Sequence, residues 1–462
     1  MARGSTGSVG TVDVNANGYA FNLHAFGSYG VTTDWSAGLQ AAVNAASANG
    51  GGAIFVPPGT YGFSTPVELY RGVHLFGYDT PRWLSTSFSS TVLRANTGFT
   101  GTGLLRFTDK ASTGGTYDPT GITVRNLSLD GNTQTGSGIH GIEITGSTRD
   151  NTISDVNIRD FSGSGLKMGS YSGRSPQEFR VRYVFSYGNA ADGFNLAAGG
   201  DNQFLACEAS TNGDYGWQIT GGAGNSEFVN CSAEWNWKHG LYIHTANDGP
   251  VFTNFVTDRN ARDGVHIGSA ASNQTISFVG LKTRRDGRNS GSGGGNYAGL
   301  RVQGTALSYA PPVQIIGLTQ QVGRDDDGTG TYSPQIGVVA TYHGSSYIQG
   351  RVWGQATSMS DAGTADLTVG EGTYYVTGDP GSQTETRSTY VHSDGKLKLR
   401  SSGTDYIQLH PSGIIQMAER SDPGAAPPSN GVYIFTRDNG AGKTELCAQF
   451  PTGAIQQIAI EP

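Results

Sequence analysis

Cysteine, charge and long apolar runs are all scarce in this 462-residue chain. The three cysteines, Cys207, Cys231 and Cys447, are too few for a disulfide framework. Charged residues make up 15% and the net charge is −7. That balance argues against a nucleic-acid partner, whose phosphates demand a basic face. No apolar run approaches the roughly 20 residues that span a bilayer, so membrane insertion is not expected. The opening residues, MARGSTGSVG, lack the apolar centre of a secretory leader. Either a leader has been removed or the protein leaves its cell by another route, such as lysis of a phage-infected host. What is abundant is glycine, at 71 residues, with apolar residues recurring steadily between the glycines. This is the composition of a β-rich chain with many tight turns, and disorder is excluded.

A repeat organises the middle of the chain. The pattern Gly-apolar-x-apolar recurs as GIEI at 141, GLKM at 165, GFNL at 193, GWQI at 216, GLYI at 240, GVHI at 264 and GLRV at 299. The commonest spacing is about 24 residues, with insertions in two repeats. A second strand repeats within each unit, as FLACEA at 204, FVNCSA at 228 and FTNFVT at 252. Short strands punctuated by Gly, Asn and Asp at this period predict an all-β parallel solenoid. Asn189, Asn212, Asn236 and Asn260 each stand four residues before a repeat glycine. They are expected to form an inward ladder, with Asn chosen for its tolerance of left-handed backbone. Cys207, Cys231 and Phe255 share one coil position and are expected to stack in the core, as is Trp217.

The ends read differently. LQAAVNAASA has helical spacing after the capping residue Asp34, and such a helix would cover the open end of the solenoid. The stretch GGGAIFVPPGTY follows as turn, buried strand and turn. Short strands continue through 355–420, SDPGAAPPSNG at 421–431 reads as a linker, and the last residues read as a hairpin-rich module. The expected division is an arm over 1–20, a capped solenoid over 21–355, a β-rich extension over 356–420, and linker plus module over 421–462. GAGK near the end has neither the spacing nor the following helix of a phosphate loop.

The segment FNLHAFGSYGVTTDWSAGLQAAVNAASANGGGAIFVPPGTY, with VRNLSLDGN at 124–132, resembles the pectate-lyase-like right-handed β-helix superfamily. That superfamily includes mannuronan epimerases, rhamnogalacturonan-active enzymes and phage tailspikes. The resemblance spans roughly residues 20–350 and implies a right-handed parallel β-helix. The ending TRDNGAGKTELCAQFPTGAIQQIA resembles tail proteins of actinobacterial phages, which implies a virion or extracellular setting and a homotrimer. Two departures stand out. The acidic signature of the cap is replaced by Gly27-Ser28-Tyr29-Gly30. The epimerase motif Tyr-Gly-Phe-Asp-Pro-His is replaced by SGLKMG, with Lys167 where the first Asp would stand, and DGFNLA lacks the second Asp.

Strand alternation turns the middle residue of each Gly-apolar-x-apolar unit outward. Stacked coils then line up Glu143, Lys167, Asn195, Gln218, Tyr242, His266 and Arg301. His244 lies two positions on, and His140, Asp192, Tyr215, His239 and Asp263 precede the glycines, with Asp214 beside Tyr215. An ordinary solvated face favours Thr, Ser and Lys, so this mixture of Tyr, His, Arg and carboxylates is the candidate site. Glu143 and Lys167 are expected to form a surface ion pair.

The expected function is cleavage of a long, anionic polysaccharide. β-Elimination would use Tyr242, His244 or Lys167 as base or acid, and Arg301, His266, Asn195 and Gln218 to neutralise the carboxylate. Hydrolysis would pair Asp192 with Asp214, or Asp263 with either. A non-catalytic glycan-binding or structural virion protein is the remaining alternative. His239, Trp235 and Trp237 are further candidates for sugar contact, the tryptophans being equally suited to a subunit interface. Residues 284–297, RRDGRNSGSGGGNY, read as a flexible loop. Asp325, Asp326 and Asp327 read as a solvated turn, and neither metal nor cofactor is expected.

Overall fold

In the computed structural model the described residues are 11–15, 18–30, 33–79, 90–108, 119–133, 138–171, 173–244, 249–268, 275–289, 297–303, 312–341, 347–353 and shorter stretches between 357 and 460. The chain divides into two compact units, one of residues 1–346 with 352–361, the other of 347–351 with 362–462.

The first unit is a parallel β-helix. One wall, which bears the candidate site, is an eleven-stranded parallel sheet running from Val67–Glu68 to Thr357–Asp361. The repeat units supply consecutive strands of this wall, among them Leu166–Gly169, Phe194–Leu196, Trp217–Ile219, Leu241–Ile243 and Val265–Ile267. A second wall carries two further parallel strands per coil, for example Glu227–Val229 and Ser232–Glu234. Between the two strands the backbone turns through a left-handed residue at the same place in each coil: Asp155, Tyr183, Ala206, Asn230 and Asn254, then Gly280.

The repeat glycines answer to space. A Cβ on Gly216 would sit 2.6 Å from the carbonyl oxygen of Gly240 and 2.7 Å from the amide nitrogen of the Asn236 side chain. Gly141, Gly165, Gly193, Gly240 and Gly264 meet the next repeat glycine's carbonyl in the same way. Coils can therefore stack at sheet spacing only where no side chain intervenes.

The asparagine ladder forms as expected, and its geometry revises the reason for it. The backbone N–H and side-chain amide of Asn212 both donate to Asn236 Oδ1, at 3.0 and 2.9 Å, and Asn236 donates likewise to Asn260 Oδ1. None of these asparagines is left-handed; the residue before each carries that conformation, at Gly188, Thr211, Trp235 and Arg259. Asn serves because one side chain supplies both a donor and an acceptor to the coils on either side. The ladder ends on Asp286, which accepts from both nitrogens of Asn260 and from Thr257 Oγ1. Residues 284–289 are accordingly part of a packed coil: Arg284 closes a strand and Asp286 is fully buried. The expectation of a flexible loop over 284–297 therefore fails for residues 284–289, and residues 290–296 lie outside the described residues.

The core is aromatic. Phe194 stacks on Trp217 at 3.9 Å, and Phe204, Phe228, Phe252 and Phe278 form a column with centroids 4.5–4.9 Å apart. Each such contact adds about 0.5–1.5 kcal/mol beyond burial. Cys207, Cys231 and Phe255 are buried in one stack, and both thiols are free. At the N-terminal end the helix Ser36–Ala48 lays Leu39, Ala42, Val43 and Ala46 against the first strands. Asp34 Oδ1 accepts from the Ser36 N–H at 3.0 Å and from its hydroxyl at 2.6 Å, one residue outside the cap position. Strands Thr11–Asn15 and Gly18–Asn22 pair with each other, and the latter joins the second wall.

In the second unit, strands from Tyr374–Gly378 to Ile415–Met417 make a five-stranded antiparallel sheet. Tyr433–Asp438, Thr444–Gln449 and Gln456–Ile460 make a three-stranded one. The linker expected over 421–431 lies outside the described residues.

Candidate active site on the groove wall

Strand register brings the expected row together. Lys167, Asn195, Gln218, Tyr242, His266 and Arg301 are successive partners in the parallel sheet. Glu143 precedes Lys167, and Arg106 and Glu68 extend the row towards the cap. All six side chains from Lys167 to Arg301 are half-buried.

The residues before the glycines do something the sequence reading missed. They were expected at an open rim, yet His140, Asp192, His239 and Asp263 are buried. Each accepts the backbone N–H of the corresponding residue one coil on. His140 Nδ1 takes Ser164 N at 2.8 Å, and Asp192 Oδ1 takes Tyr215 N at 3.2 Å. His239 Nδ1 takes Asp263 N at 3.1 Å, and Asp263 Oδ1 takes Ala298 N at 2.6 Å. These side chains satisfy amides that the sheet leaves unpaired. The signal was present, since every one of them occupies the same repeat position and can accept a hydrogen bond.

That duty fixes protonation. His239 Nδ1 also lies 3.3 Å from Asp263 Oδ2. The amide N–H of Asp263 always carries its hydrogen, so Nδ1 is the acceptor, His239 is neutral, and the carboxylate contact is not an ion pair. Burial lowers the His239 pKa, in agreement, and burial with the Lys167 charge brings His140 down to about 4. At Asp192, burial outweighs the Asn195 and Tyr215 hydrogen bonds and lifts the carboxyl to about 6.

Asp263 has one oxygen left for the groove. His266 Nδ1 donates to Asp263 Oδ2 at 2.9 Å and Arg301 Nε donates to it at 3.0 Å. Burial alone would raise this carboxyl; the His266 hydrogen bond and the charge of Arg301 hold it well below the usual carboxylate range. With Nδ1–H given to Asp263, the neutral form of His266 presents Nε2 as its basic nitrogen. The Tyr242 ring stands edge-on to His266 at 5.2 Å, and its hydroxyl is 3.0 Å from Nδ1 of the exposed His244. Burial, helped by Tyr215, raises the Tyr242 pKa, so the phenol stays protonated. Tyr215 stacks on Tyr242 at 4.9 Å, and Lys238, bound to Asp214 at 2.7 Å, covers the Tyr215 ring. Asn195 bridges Asp192 Oδ2 and Gln218 Oε1, both at 2.7 Å.

Two expectations change. Glu143 pairs with Arg106 at 2.9 Å and with Thr102, where a Lys167 partner was expected; Arg106 is on the preceding coil and already reaches it. Trp237 is 56% exposed, but Trp235 is half-buried because Arg259 and Arg288 cover its ring. The two tryptophans clasp Arg288 in a cluster with no contact to the row among the described residues. The turn at 325–327 is solvated as expected, with Asp326 and Asp327 exposed, and is anchored by pairs of Asp325 with Arg259 and Asp326 with Arg285. His239, Asp263 and His266 hold ligand atoms within 4.8 Å of one another, as a metal site would. The donor set suits a proton network better, because Asp263 Oδ2 is shared with a guanidinium and His239 Nδ1 with an amide hydrogen.

Residues 140–282 match the family described as right handed beta helix region. Mannuronan C5-epimerase AlgE4 of Azotobacter vinelandii is 29% identical over 222 residues, 43% of this chain. The match spans 36% of that relative's length. Its A-module has a similar structure, with a TM-score of 0.52 at 18% identity, covering 75% of this chain and 99% of the module. The enzymatically active domain of bacteriophage CBA120 tailspike protein 2 gives 0.51 at 16% identity, covering 97% of this chain and 71% of that one. The Dettilon tailspike protein gives 0.50 at 9% identity, over 96% and 90%. Coil register, glycine spacing and these likenesses agree: the chain is a right-handed parallel β-helix protein.

Proposed function

We propose that this protein is a carbohydrate-active β-helix enzyme that binds a long polysaccharide along the groove wall and cleaves it by β-elimination. The observation that carries the reading is the Asp263–His266 pair, which orients the imidazole so that its neutral form presents Nε2 beside Arg301. His266 Nε2 removes the proton α to the sugar carboxylate, and Arg301 offsets the charge that develops on that carboxylate. The electron pair forms the ring double bond as the bond to the glycosidic oxygen breaks. The Tyr242 hydroxyl gives that oxygen its proton, with His244 poised to restore it. Sequence alone cast His266 as a neutralising group; its bond to Asp263 makes it the better base. Lys167, Asn195 and Gln218 extend the binding surface along the row.

Hydrolysis is the second reading, favoured by Asp192, whose carboxyl at about 6 stands near the ionised Asp214–Lys238 pair. Asp263 no longer fits it as an acid, being saturated with donors. The proposed setting for either chemistry is a homotrimeric virion protein, the likeness in fold to phage tailspike proteins supporting the virion part of that reading. Incubation with host-surface polysaccharide decides between them. Elimination yields ultraviolet-absorbing unsaturated ends, hydrolysis yields reducing ends without absorbance, and binding with neither product sinks the enzyme reading.

A further inference from the structure

We infer that the polymer taken by this groove carries its acidic groups sparsely, about one acidic sugar to every four coils' length of roughly 19 Å, and is not a homopolymer of uronic acids. This rests on the proposed binding of a polysaccharide along the row. Coils rise by about 4.8 Å, close to the advance of an extended glycan per sugar, so each coil faces one sugar. A homopolyuronate would set one carboxylate against every coil and would require a cation at each.

The wall does not provide them. Arg106 is held by Glu68 at 2.7 Å and by Glu143 at 2.9 Å. Lys238 is held by Asp214, and Arg301, which shares Asp263 with His266, serves only the one uronate that reacts. The two middle coils offer the Asn195 and Gln218 amides, and Asn195 Nδ2 is spent on Asp192 and Gln218. His239 is neutral. Along this row, two cations stand without a carboxylate partner among the described residues. Lys167 stands at one end of the row, where its charge is felt by His140. Arg262 is four coils on, close enough to act on Tyr215 and His239. A surface of amides, phenols and neutral imidazole between two such cations reads hydroxyls over most of its length and a carboxylate only at intervals. The chain's own charge of −7 would further penalise a dense polyanion.

The test is binding of the full chain to immobilised glycans graded by uronate density: polymannuronate and polygalacturonate, gellan with one glucuronate per tetrasaccharide, a wider set of bacterial heteropolysaccharides with three- to six-sugar repeats, and neutral dextran. Tightest binding among the sparse heteropolymers is expected, weakened roughly tenfold by Lys167→Ala or Arg262→Ala, about one charge-assisted contact each. Raising salt should cost little, because only two ion pairs are broken. Preference for the homopolyuronates, or equal binding of dextran, overturns the inference and leaves the carbohydrate reading standing. Binding to none of the glycans by folded protein overturns the carbohydrate reading itself.

Discussion

Replacing Asp263 by Asn should disable the groove while leaving the solenoid folded. The side chain is 1% exposed and accepts from Ala298 N, His266 Nδ1 and Arg301 Nε. Asn keeps one oxygen for Ala298 and turns an NH2 towards the other two. His266 must then accept at Nδ1, which moves its proton to Nε2 and removes the base. The same tautomer error in a serine-protease triad costs about 10⁴ in turnover, and a loss of about 10³–10⁴ is expected here. Arg301 loses its carboxylate, at a cost of about 3 kcal/mol, the low end for a broken buried pair because its side chain retains 18% exposure. Turnover is followed by the absorbance of unsaturated product and stability by urea unfolding. His266→Gln should fall to the same residual rate, and the double variant should fall no further, since the two act as one unit. A variant that keeps its fold and a rate within tenfold of the parent refutes the assignment.

Two further outcomes follow from the ladder. Burial lifts the Asp286 carboxyl to about 8, against the pull of Thr257 and Asn260. The folded state therefore holds a proton that the unfolded chain has released above pH ~4, and stability should fall as pH rises from there to about 8, at up to ~1.4 kcal/mol per unit. Asp286→Asn should flatten that slope; a slope equal to the parent's by urea unfolding at pH 5 and 8 would show the carboxyl to be ionised throughout. Asn236→Ala strands the buried Asn212 N–H and should cost about 1–3 kcal/mol. A loss under about 1 kcal/mol would mean that water replaces the amide.

The coil pattern was legible because its causes are local and periodic. Gly216 and its counterparts recur where coils touch, and Gln218, Tyr242 and His266 fall on the groove wall by strand alternation alone. What the sequence hid was connectivity across coils. Nothing in the order of residues says that His239 spends Nδ1 on an amide 24 positions away while Asp263 keeps an oxygen for His266. The same holds for Glu143, whose partner Arg106 belongs to a coil too irregular to register by eye. Roles follow from such pairings, so the row was readable before the work of its members was.

The asparagine ladder has one more consequence. Each rung bonds only to groups of its own coil and of the adjoining coils, and each repeat glycine likewise meets only adjoining coils. A coil is thus an interchangeable segment. Excising residues 216–239 would bring Asn212 against Asn260 and join Tyr215 to Gly240, with every remaining contact of the kind it replaces. Such a chain would differ in the span of polymer it can hold, shorter by one sugar. Groove length in this architecture is a quantity that gene duplication or deletion can adjust in whole steps.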